Sequence, residues 1–461
     1  MSGAKKSNPT YHNLHPWIGR LCLWLALLFT GQTAAHAQTS ISKTDSGYVL
    51  LRNGQPYYVK GVGGTVNLPL AVAIGANSIR TWGIEDAERI LDEAHRLGLS
   101  VMLGFWLQHE RHGFDYNDTV KVNKQYRHFC AAIDRFKNHP ALLLWGIGNE
   151  LDLQYSNPRC WDAVQQIAAY AHQVDPNHPT STVTAGLDSM EVVHIRRRAP
   201  DIDLLGINTY GDIKGVPANI RRFGWEGPYM ITEWGPNGYW ESPVTPWKAA
   251  IEQSSTEKKQ VYLERYDRYI GPEKAQCVGS YAFLWGAKQE YTETWFGLFS
   301  KDNLPTEPID ALEYVFSGRW PTKPAPSVLG IEVDCQPRGK QQHFLAGDAF
   351  TALVKTDSLE KKNPGYRYHW RILAESTDKK SGGDAELAAA EIRGTVRNPT
   401  RKSIQGRMPM NPGAYRLFVQ VTANGKVAYQ NLPFMVIERK PEDGQARWME
   451  FKKQGMEDRD E

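Results

Sequence analysis

From residue 57 onward the chain alternates between short apolar runs and longer stretches in which apolar residues recur every three or four positions. Continuous apolar runs of four to eight residues read as strands buried on both faces, and the three-and-four spacing reads as amphipathic helix. Eight strands are predicted in this way: YYVKGVGG (57–64), ANSIRTW (76–82), SVMLGFWL (100–107), LLLWGIGNE (142–150), TSTVTAG (180–186), IDLLGINTYG (202–211), YMITEWG (229–235) and VGSYAFLWG (278–286). Helices are expected between them. EDAERILDEAHRLG (85–98) places Ala87, Ile90, Leu91, Ala94 and Leu97 on one face and stops at Gly98. The segments 121–140, 161–176 and 256–272 each run into a proline, which cannot continue a helix, and 306–321 supplies the eighth. Alternating strands and helices over roughly 270 residues predict an α/β fold, a (β/α)8 TIM barrel. An open doubly wound sheet is the competing architecture, but GVGGTVN after the first strand lacks the glycine spacing of a dinucleotide-binding turn.

The pattern changes after the barrel. A proline-rich linker, WPTKPAPS (320–327), leads into strand-like segments: VLGIEVDC, AFTALVKT, GYRYHWRIL, AYRLFVQVTA and KVAYQNLPFMVIE. The last two flank Asn424-Gly425, a strong signal for a two-residue hairpin turn. Residues 327–438 are therefore expected to form a small immunoglobulin-like β-sandwich, with 38–322 as the (β/α)8 barrel and 439–461 as a charged, frayed tail. Tyr366, Tyr368 and Trp370 alternate in strand fashion and fall on one face, read here as sandwich core with a structural role.

The N-terminal residues have the form of a targeting segment. Lys5, Lys6 and Arg20 precede the apolar run LCLWLALLF (21–29), and Ala35-His36-Ala37 fits a small-x-small cleavage site. Residues 1–37 are read as a signal peptide, with export to the periplasm or beyond and no stable membrane insertion after cleavage. An uncleaved anchor is the alternative. Cys22 would leave with the signal, so Cys130, Cys160, Cys277 and Cys335 remain, without metal-site spacing. Cys130 and Cys160 fall on consecutive predicted helices, where they either pair or stay buried as free thiols.

Composition excludes more than it assigns. A net charge of +3 over 461 residues gives no reason to expect nucleic acid, and no metal or cofactor constellation is visible. Usage of 15 Trp and 21 Tyr is heavy, and such rings at loop positions suit the flat apolar faces of sugars.

Candidate chemistry begins in LLLWGIGNELDL (142–153), where Asn149, Glu150 and Asp152 follow a run fit for a buried strand. An unpaired carboxylate at such a place costs several kcal/mol, so it needs an explanation. In a barrel the C-terminal strand ends gather on one rim. That rim collects Arg80-Thr81-Trp82 from the second strand, Phe105-Trp106 and then His109 from the third, Asn149-Glu150 from the fourth, Asn208-Thr209-Tyr210 from the sixth, Thr232-Glu233-Trp234 from the seventh and Leu284-Trp285 from the eighth. Two of these positions are glutamates. A pair of carboxylates across one pocket is the machinery of glycoside cleavage, one as acid/base and the other as nucleophile. Glu150, at the end of an apolar strand, suits the protonated acid/base. Glu233 is then the nucleophile, Arg80 and Tyr210 are the residue types to hold it, and Asn149 suits a hydrogen bond to a sugar hydroxyl.

With WGIGNE, NTYG and ITEWG at these places, residues 55 to 320 resemble the catalytic barrel of the clan A retaining glycoside hydrolases. The look is closest to family 2 catalytic domains and certain β-glucan-acting relatives. The resemblance implies Glu150 as acid/base, Glu233 as nucleophile, Arg80 and Tyr210 as nucleophile support, and Trp285 as the floor of the −1 sugar site. The sequence departs from family 2 in the short stretch before its first barrel strand, where that family carries β-sandwich domains.

Other residues are weighed more evenly. Trp106, Trp234, Tyr239, Trp240 and Trp295 are either packing or sugar-stacking surfaces, with Trp106, Trp234 and Trp295 favoured as substrate contacts. His109 and His112 are ordinary loop histidines or substrate ligands. Asp115, Asp118, Glu290 and Glu293 are read as solvated loop acids, and Arg196 to Arg198 as a solvated helix face. The expected function is an exported retaining β-glycosidase acting on a β-linked glucan-type carbohydrate. A β-glucan transglycosylase is the alternative within that class, and a non-catalytic carbohydrate-binding protein is the alternative outside it.

Overall fold

A computed structural model describes residues 38–438 apart from 335, 338–342 and 364, together with residues 1 and 3. Apart from residues 1 and 3, the expected signal peptide lies outside the described residues, as do Cys335 and the 439–461 tail. Among the described residues no helix is long and apolar enough to cross a membrane.

A small antiparallel sheet comes first: β1 (Thr39–Thr44), β2 (Gly47–Arg52) and β3 (Gln55–Pro56). It was not expected from the sequence. Its Leu50 joins Val59, Met102, Leu143, Leu144, Leu204 and Met230 in one buried cluster. Thr39 N bonds Asn177 O and Tyr48 N bonds Ala275 O, both in turns that enter barrel strands. The sheet therefore plugs the N-terminal end of the barrel with apolar side chains and leaves the other end for the site.

The eight predicted barrel strands all form, each somewhat shorter than its apolar run. They are β4 (Val59–Gly63), β5 (Ser78–Arg80), β6 (Ser100–Phe105), β7 (Leu142–Asn149), β8 (Thr180–Ala185), β9 (Leu204–Asn208), β10 (Tyr229–Trp234) and β11 (Cys277–Ala282). They close in the order β10-β11-β4-β5-β6-β7-β8-β9 with parallel pairing throughout. Eight helices alternate with them: α1 (Leu68–Ala73), α2 (Ala87–Arg96), α3 (Thr119–Phe136), α4 (Arg159–Val174), α5 (Ser189–Arg198), α6 (Val216–Arg222), α7 (Ser255–Arg265) and α8 (Pro308–Ser317). Ile90, Leu91 and Ala94 of α2 are buried, as the spacing required. Asp118, read as a solvated acid, caps α3 by accepting from Val120 N and Lys121 N. Cys130 and Cys160 stay free thiols on α3 and α4, as does Cys277 on β11. Arg198 pairs with Asp162 across α4 and α5 while Arg196 and Arg197 remain exposed.

The C-terminal region is a two-sheet sandwich. One sheet has the order β13-β12-β15-β18-β17, from β12 (Val328–Val333), β13 (Gln336–Pro337), β15 (Ala349–Thr356), β17 (Val396–Arg397) and β18 (Ser403–Arg407). The other has the order β14-β20-β19-β16, from β14 (His343–Leu345), β16 (Arg367–Ala374), β19 (Gly413–Ala423) and β20 (Lys426–Ile437). Asn424 and Gly425 both take positive φ, 57° and 72°, and close the predicted β19–β20 hairpin. Trp370 and Tyr366 are buried between the sheets with Val354, Val419 and Phe434, and Tyr368 packs at their edge.

The proline-rich linker is pinned to the barrel. Ala325 N donates to Asp310 Oδ2, Ser327 Oγ to Glu307 Oε1 and Val328 N to Thr256 Oγ1. Arg416 of β19, only 2% exposed, binds Glu375 with two nitrogens and donates to Asn431 Oδ1 and to Ala250 O of the barrel. A buried arginine making four charge-assisted bonds, one of them to the barrel, ties the two regions together.

Candidate active site

Two strand ends carry local irregularities that aim the glutamates. The β7–β8 register shifts between Gly146 and Asn149, and Gly148 takes φ 81°. Glu150 itself sits at φ 51°, a left-handed conformation that costs a non-glycine residue about 1–2 kcal/mol. Its amide is held by Val183 O at 2.8 Å. The β10–β9 register likewise shifts between Ile231 and Glu233, and Thr209 N bonds Glu233 O at 2.9 Å. Bulges of this kind re-aim a side chain at a barrel rim. Here they turn Glu150 and Glu233 toward one cavity of about 540 Å³, a volume suited to a small ligand.

The environments of the two carboxyls differ. Glu233 Oε1 accepts from Arg80 Nη1 at 3.0 Å and from Trp82 Nε1 at 2.7 Å, and Oε2 accepts from Tyr210 OH at 2.9 Å. Glu150 Oε1 accepts from Asn208 Nδ2 at 2.8 Å. Burial first, and the Glu233 charge second, push the Glu150 pKa up to about 8. Burial also drives the Tyr210 hydroxyl pKa well upward, with Glu233 adding to it, so the phenol remains a donor. Burial lowers the Arg80 pKa, against the pull of Glu233 and Glu150.

One polar network joins the two halves. Arg80 Nη2 donates to Asn149 Oδ1 at 2.6 Å, and Arg80 Nη1 also reaches Asn208 Oδ1 and Thr232 O. Asn208 Nδ2 bonds Asn149 Oδ1 at 3.1 Å as well as Glu150, while Thr232 Oγ1 donates to Asn208 Oδ1. The Asn149 and Asn208 amides thus turn their oxygens toward donors, and the Asn208 nitrogen links Asn149 to Glu150. His109 lies behind them with Nε2 2.7 Å from Asn149 O, and burial pulls its pKa down to about 4. Its neutral ring donates to that carbonyl. Asp152 accepts twice from Ala185 N, at 3.1 and 3.0 Å, tying the loop after β7 to the end of β8. Burial raises its pKa to about 7.

The structure redistributes the aromatic candidates. Trp106, Asn149 and Tyr210 line the cavity, and Arg80 and His109 stand behind it as supports. Trp234 does not reach it. Alternate residues of a strand face opposite ways, so with Glu233 turned inward Trp234 points outward against Tyr262, ring centroids 5.1 Å apart. Trp285 is fully buried, donates Nε1 to Val66 O and stands edge-on to Phe299, so it is no floor for a sugar. Phe283 and Leu284 take the rim there. Trp295 is also buried, bonded to Asn237 O and packed against Tyr239 and Tyr291 behind the wall. The loop acids need correction too: Glu290 is buried in the cavity wall and paired with Lys288 at 3.1 Å, and Glu293 is paired with Lys301 and Arg371. These loops fold beneath the sandwich, which removes them from water.

Sequence reasoning placed Trp82 and Asn208 at strand ends but gave neither a role. The RTW and INTY segments carried the signal, since the ends of β5 and β9 flank the two glutamate strands. It missed outright the segment between β16 and β17, whose Ser381, Gly382 and Gly383 line the cavity. A polar, glycine-bearing loop in a separate sandwich carries no mark of where it docks.

A parallel eight-stranded barrel thus sets glutamates at the ends of its fourth and seventh strands, an arrangement suited to glycoside cleavage. Residues 66–215 match the family model described as "Glycosyl hydrolases family 2, TIM barrel domain", and the barrel is a family 2-like one. Among curated proteins, the β-glucuronidase of Paenibacillus borealis is 26% identical over 293 residues, covering 52% of this chain and 46% of that one. The β-glucuronidase of Chlorocebus aethiops is 24% identical over 220 residues, 40% and 32% of the two chains. The β-galactosidase BoGH2A of Bacteroides ovatus is 26% identical over 198 residues, 36% and 23%. The chain thus spans about a third to a half of the length of the two β-glucuronidases. A solved structure titled "Uncultured Clostridium sp. Beta-glucuronidase" aligns over 61% of this chain and 54% of that one, at 18% identity and a TM-score of 0.48.

Proposed function

We propose that this protein is a retaining β-glycosidase acting on a neutral, glucan-type carbohydrate, with Glu150 as acid/base and Glu233 as nucleophile. The observation that carries this reading is the contrast between the two carboxyls over one cavity. Glu150 is half-buried at the cavity, its pKa pushed up to about 8 by desolvation and the Glu233 charge, which suits protonation of a leaving oxygen at neutral pH. Glu233 meets three fixed donors, an arginine, an indole and a phenol, which hold a carboxylate in place for attack. In the first step Glu233 attacks the anomeric carbon while the Glu150 proton passes to the departing oxygen. In the second, Glu150 takes a proton from water, which displaces Glu233 and releases the sugar. An acceptor sugar in place of water would give transfer. Export, which the apolar run at 21–29 suggests, fits a substrate too large to enter a cell.

The charge on the cavity wall supports a neutral substrate even though two of the three relatives are named β-glucuronidases. Among the described residues that line it, the charged side chains are Glu150, Asp212, Glu233, Glu241, Lys288 and Glu290. The one cation, Lys288, is already engaged by Glu290 and the Gly383 carbonyl. A uronate would meet four acids besides the protonated Glu150, without a free positive partner, and like-charge contact in a partly dry cavity costs heavily. Hydrolysis of para-nitrophenyl β-glucoside is therefore expected to exceed that of the β-glucuronide by ~10-fold or more in kcat/KM. Preference for the glucuronide in this assay would overturn the neutral-sugar assignment.

Trp240 is the cavity residue best placed to stack on a sugar. It is 57% exposed and stands edge-on to Tyr210 and Tyr239, which fix its plane. Trp240→Ala is expected to raise KM for a β-glucan oligosaccharide by ~3–10-fold with little change in kcat. An unchanged KM would remove Trp240 from the binding surface.

A further inference from the structure

The cavity is not closed by the barrel alone. Residues 375–395 leave the sandwich between β16 and β17, and their tip lies over the barrel mouth, where Ser381, Gly382 and Gly383 join the cavity wall. The tip is fastened on two sides. On one, Arg111 Nη1 donates to Ser381 O at 3.0 Å and pairs with Asp384 at 2.8 Å, and His112 Nε2 lies 2.9 Å from the same carboxylate. On the other, Tyr239 OH donates to Lys380 O, Lys288 Nζ to Gly383 O, and Tyr291 N to Glu386 Oε2 at 2.6 Å. The first anchors follow β6, and the second follow β10 and β11. In the barrel order, β6 and β10 stand four strands apart, directly across the ring. The segment is thus a strap laid from one rim of the barrel to the opposite rim.

The fit at its tip is close. A Cβ on Gly382 would come within 2.7 Å of Leu153 Cδ2 and of Arg111 Nη2, and one on Gly383 within 2.5 Å of Lys288 Nζ. Both glycines also take positive φ, 63° and 69°, which favours glycine over any other residue. The strap backbone is therefore wedged between the loop after β7, which carries Glu150, and the loop after β11. A polymer lying through the cleft would have to thread beneath a strap tied at both ends, whereas a chain end needs one open side only.

We infer that this strap makes the cleft blind and restricts the enzyme to the terminal sugar of its substrate, so that it releases one residue at a time from the non-reducing end. The inference rests on the glycosidase reading above and adds the specificity-determining element. Two probes separate the modes: reducing-end-labelled laminaripentaose, and the same pentaose with a benzylidene acetal on its non-reducing terminal sugar. Wild-type protein is expected to give glucose and labelled tetraose first from the free pentaose, and to cut the blocked one ~100-fold more slowly or not at all. Replacing residues 379–386 by a short Gly-Ser linker is expected to raise the ratio of blocked to free cleavage by ~10-fold or more, with internal fragments as products. Asp384→Ala, which frees one anchor and leaves the chain length intact, makes the same comparison with a smaller rise should the replacement not fold. Internal cleavage of the blocked pentaose by the wild type would overturn the inference, as would an unchanged ratio in the loosened strap. A wild type that turns over neither para-nitrophenyl β-glucoside nor the free pentaose overturns the glycosidase reading itself, a distinguishable result.

Discussion

Glu233→Gln is expected to lower kcat for para-nitrophenyl β-glucoside by ~10⁴-fold or more, equivalent to about 5.4 kcal/mol of barrier, with the fold retained. The amide keeps the shape of the carboxylate: its oxygen can still accept from Arg80 and Trp82, and its nitrogen can donate to the Tyr210 hydroxyl, which turns from donor to acceptor. What disappears is the anionic oxygen that bonds the anomeric carbon. Because the loss falls on chemistry and not on binding, sugar affinity measured by calorimetry should change little. A mechanism-based fluoroglycoside should label the wild type on the peptide bearing Glu233 and fail to label the variant. Label on another residue, or a variant retaining a tenth of the activity, would remove Glu233 from the nucleophile role.

The barrel was legible in the sequence because burial on both faces leaves little room for polar residues in a parallel strand. Leu142 to Ile147 could be read as a strand because each of its side chains is buried. The rim was legible for a related reason: Glu150 and Glu233 interrupt runs where a carboxylate would otherwise be expensive. Direction was harder to read. Trp234 and Trp285 also stood at strand ends, but which side of a strand faces the cavity depends on bulges that a run of letters does not display. The opening β1–β3 sheet was obscured because its strands are short and only Leu50 among their apolar residues is deeply buried with the barrel. The strap was invisible for another reason. Its position depends on Arg111–Asp384 and Tyr239–Lys380 contacts spanning more than a hundred residues, and no local spacing encodes them. Asp152, unexplained as a sequence feature, turns out to be a brace for the β8 end through Ala185 N.

Glu150→Ala should produce a deficit that depends on the leaving group. For the free pentaose, whose departing oxygen needs a proton, kcat/KM is expected to fall by ~10³–10⁴-fold. For a dinitrophenyl glucoside, whose phenolate leaves unaided, the first step should fall far less, and the stalled glycosyl-enzyme should then be released by added azide as the β-glycosyl azide. The pH profile supplies a second test of the same residue. The Glu150 pKa is raised, to about 8, because burial and the Glu233 charge both disfavour its ionised form. The active acid is the protonated form, so wild-type kcat/KM should hold below that value and decline as pH rises through it. Alanine has no proton to lose there, and with the dinitrophenyl substrate the descending limb should disappear. A limb that persists unchanged in the alanine variant would mean that another group governs it, and Asp152, raised to about 7 two residues away, would be the next to replace. Glu233 contributes to the upward push on Glu150, so the glycosyl-enzyme, in which that charge is spent in an ester, should ease the pKa of Glu150 downward and favour its ionised, basic form for the second step. The same carboxyl thus changes role as the charge beside it is removed and restored.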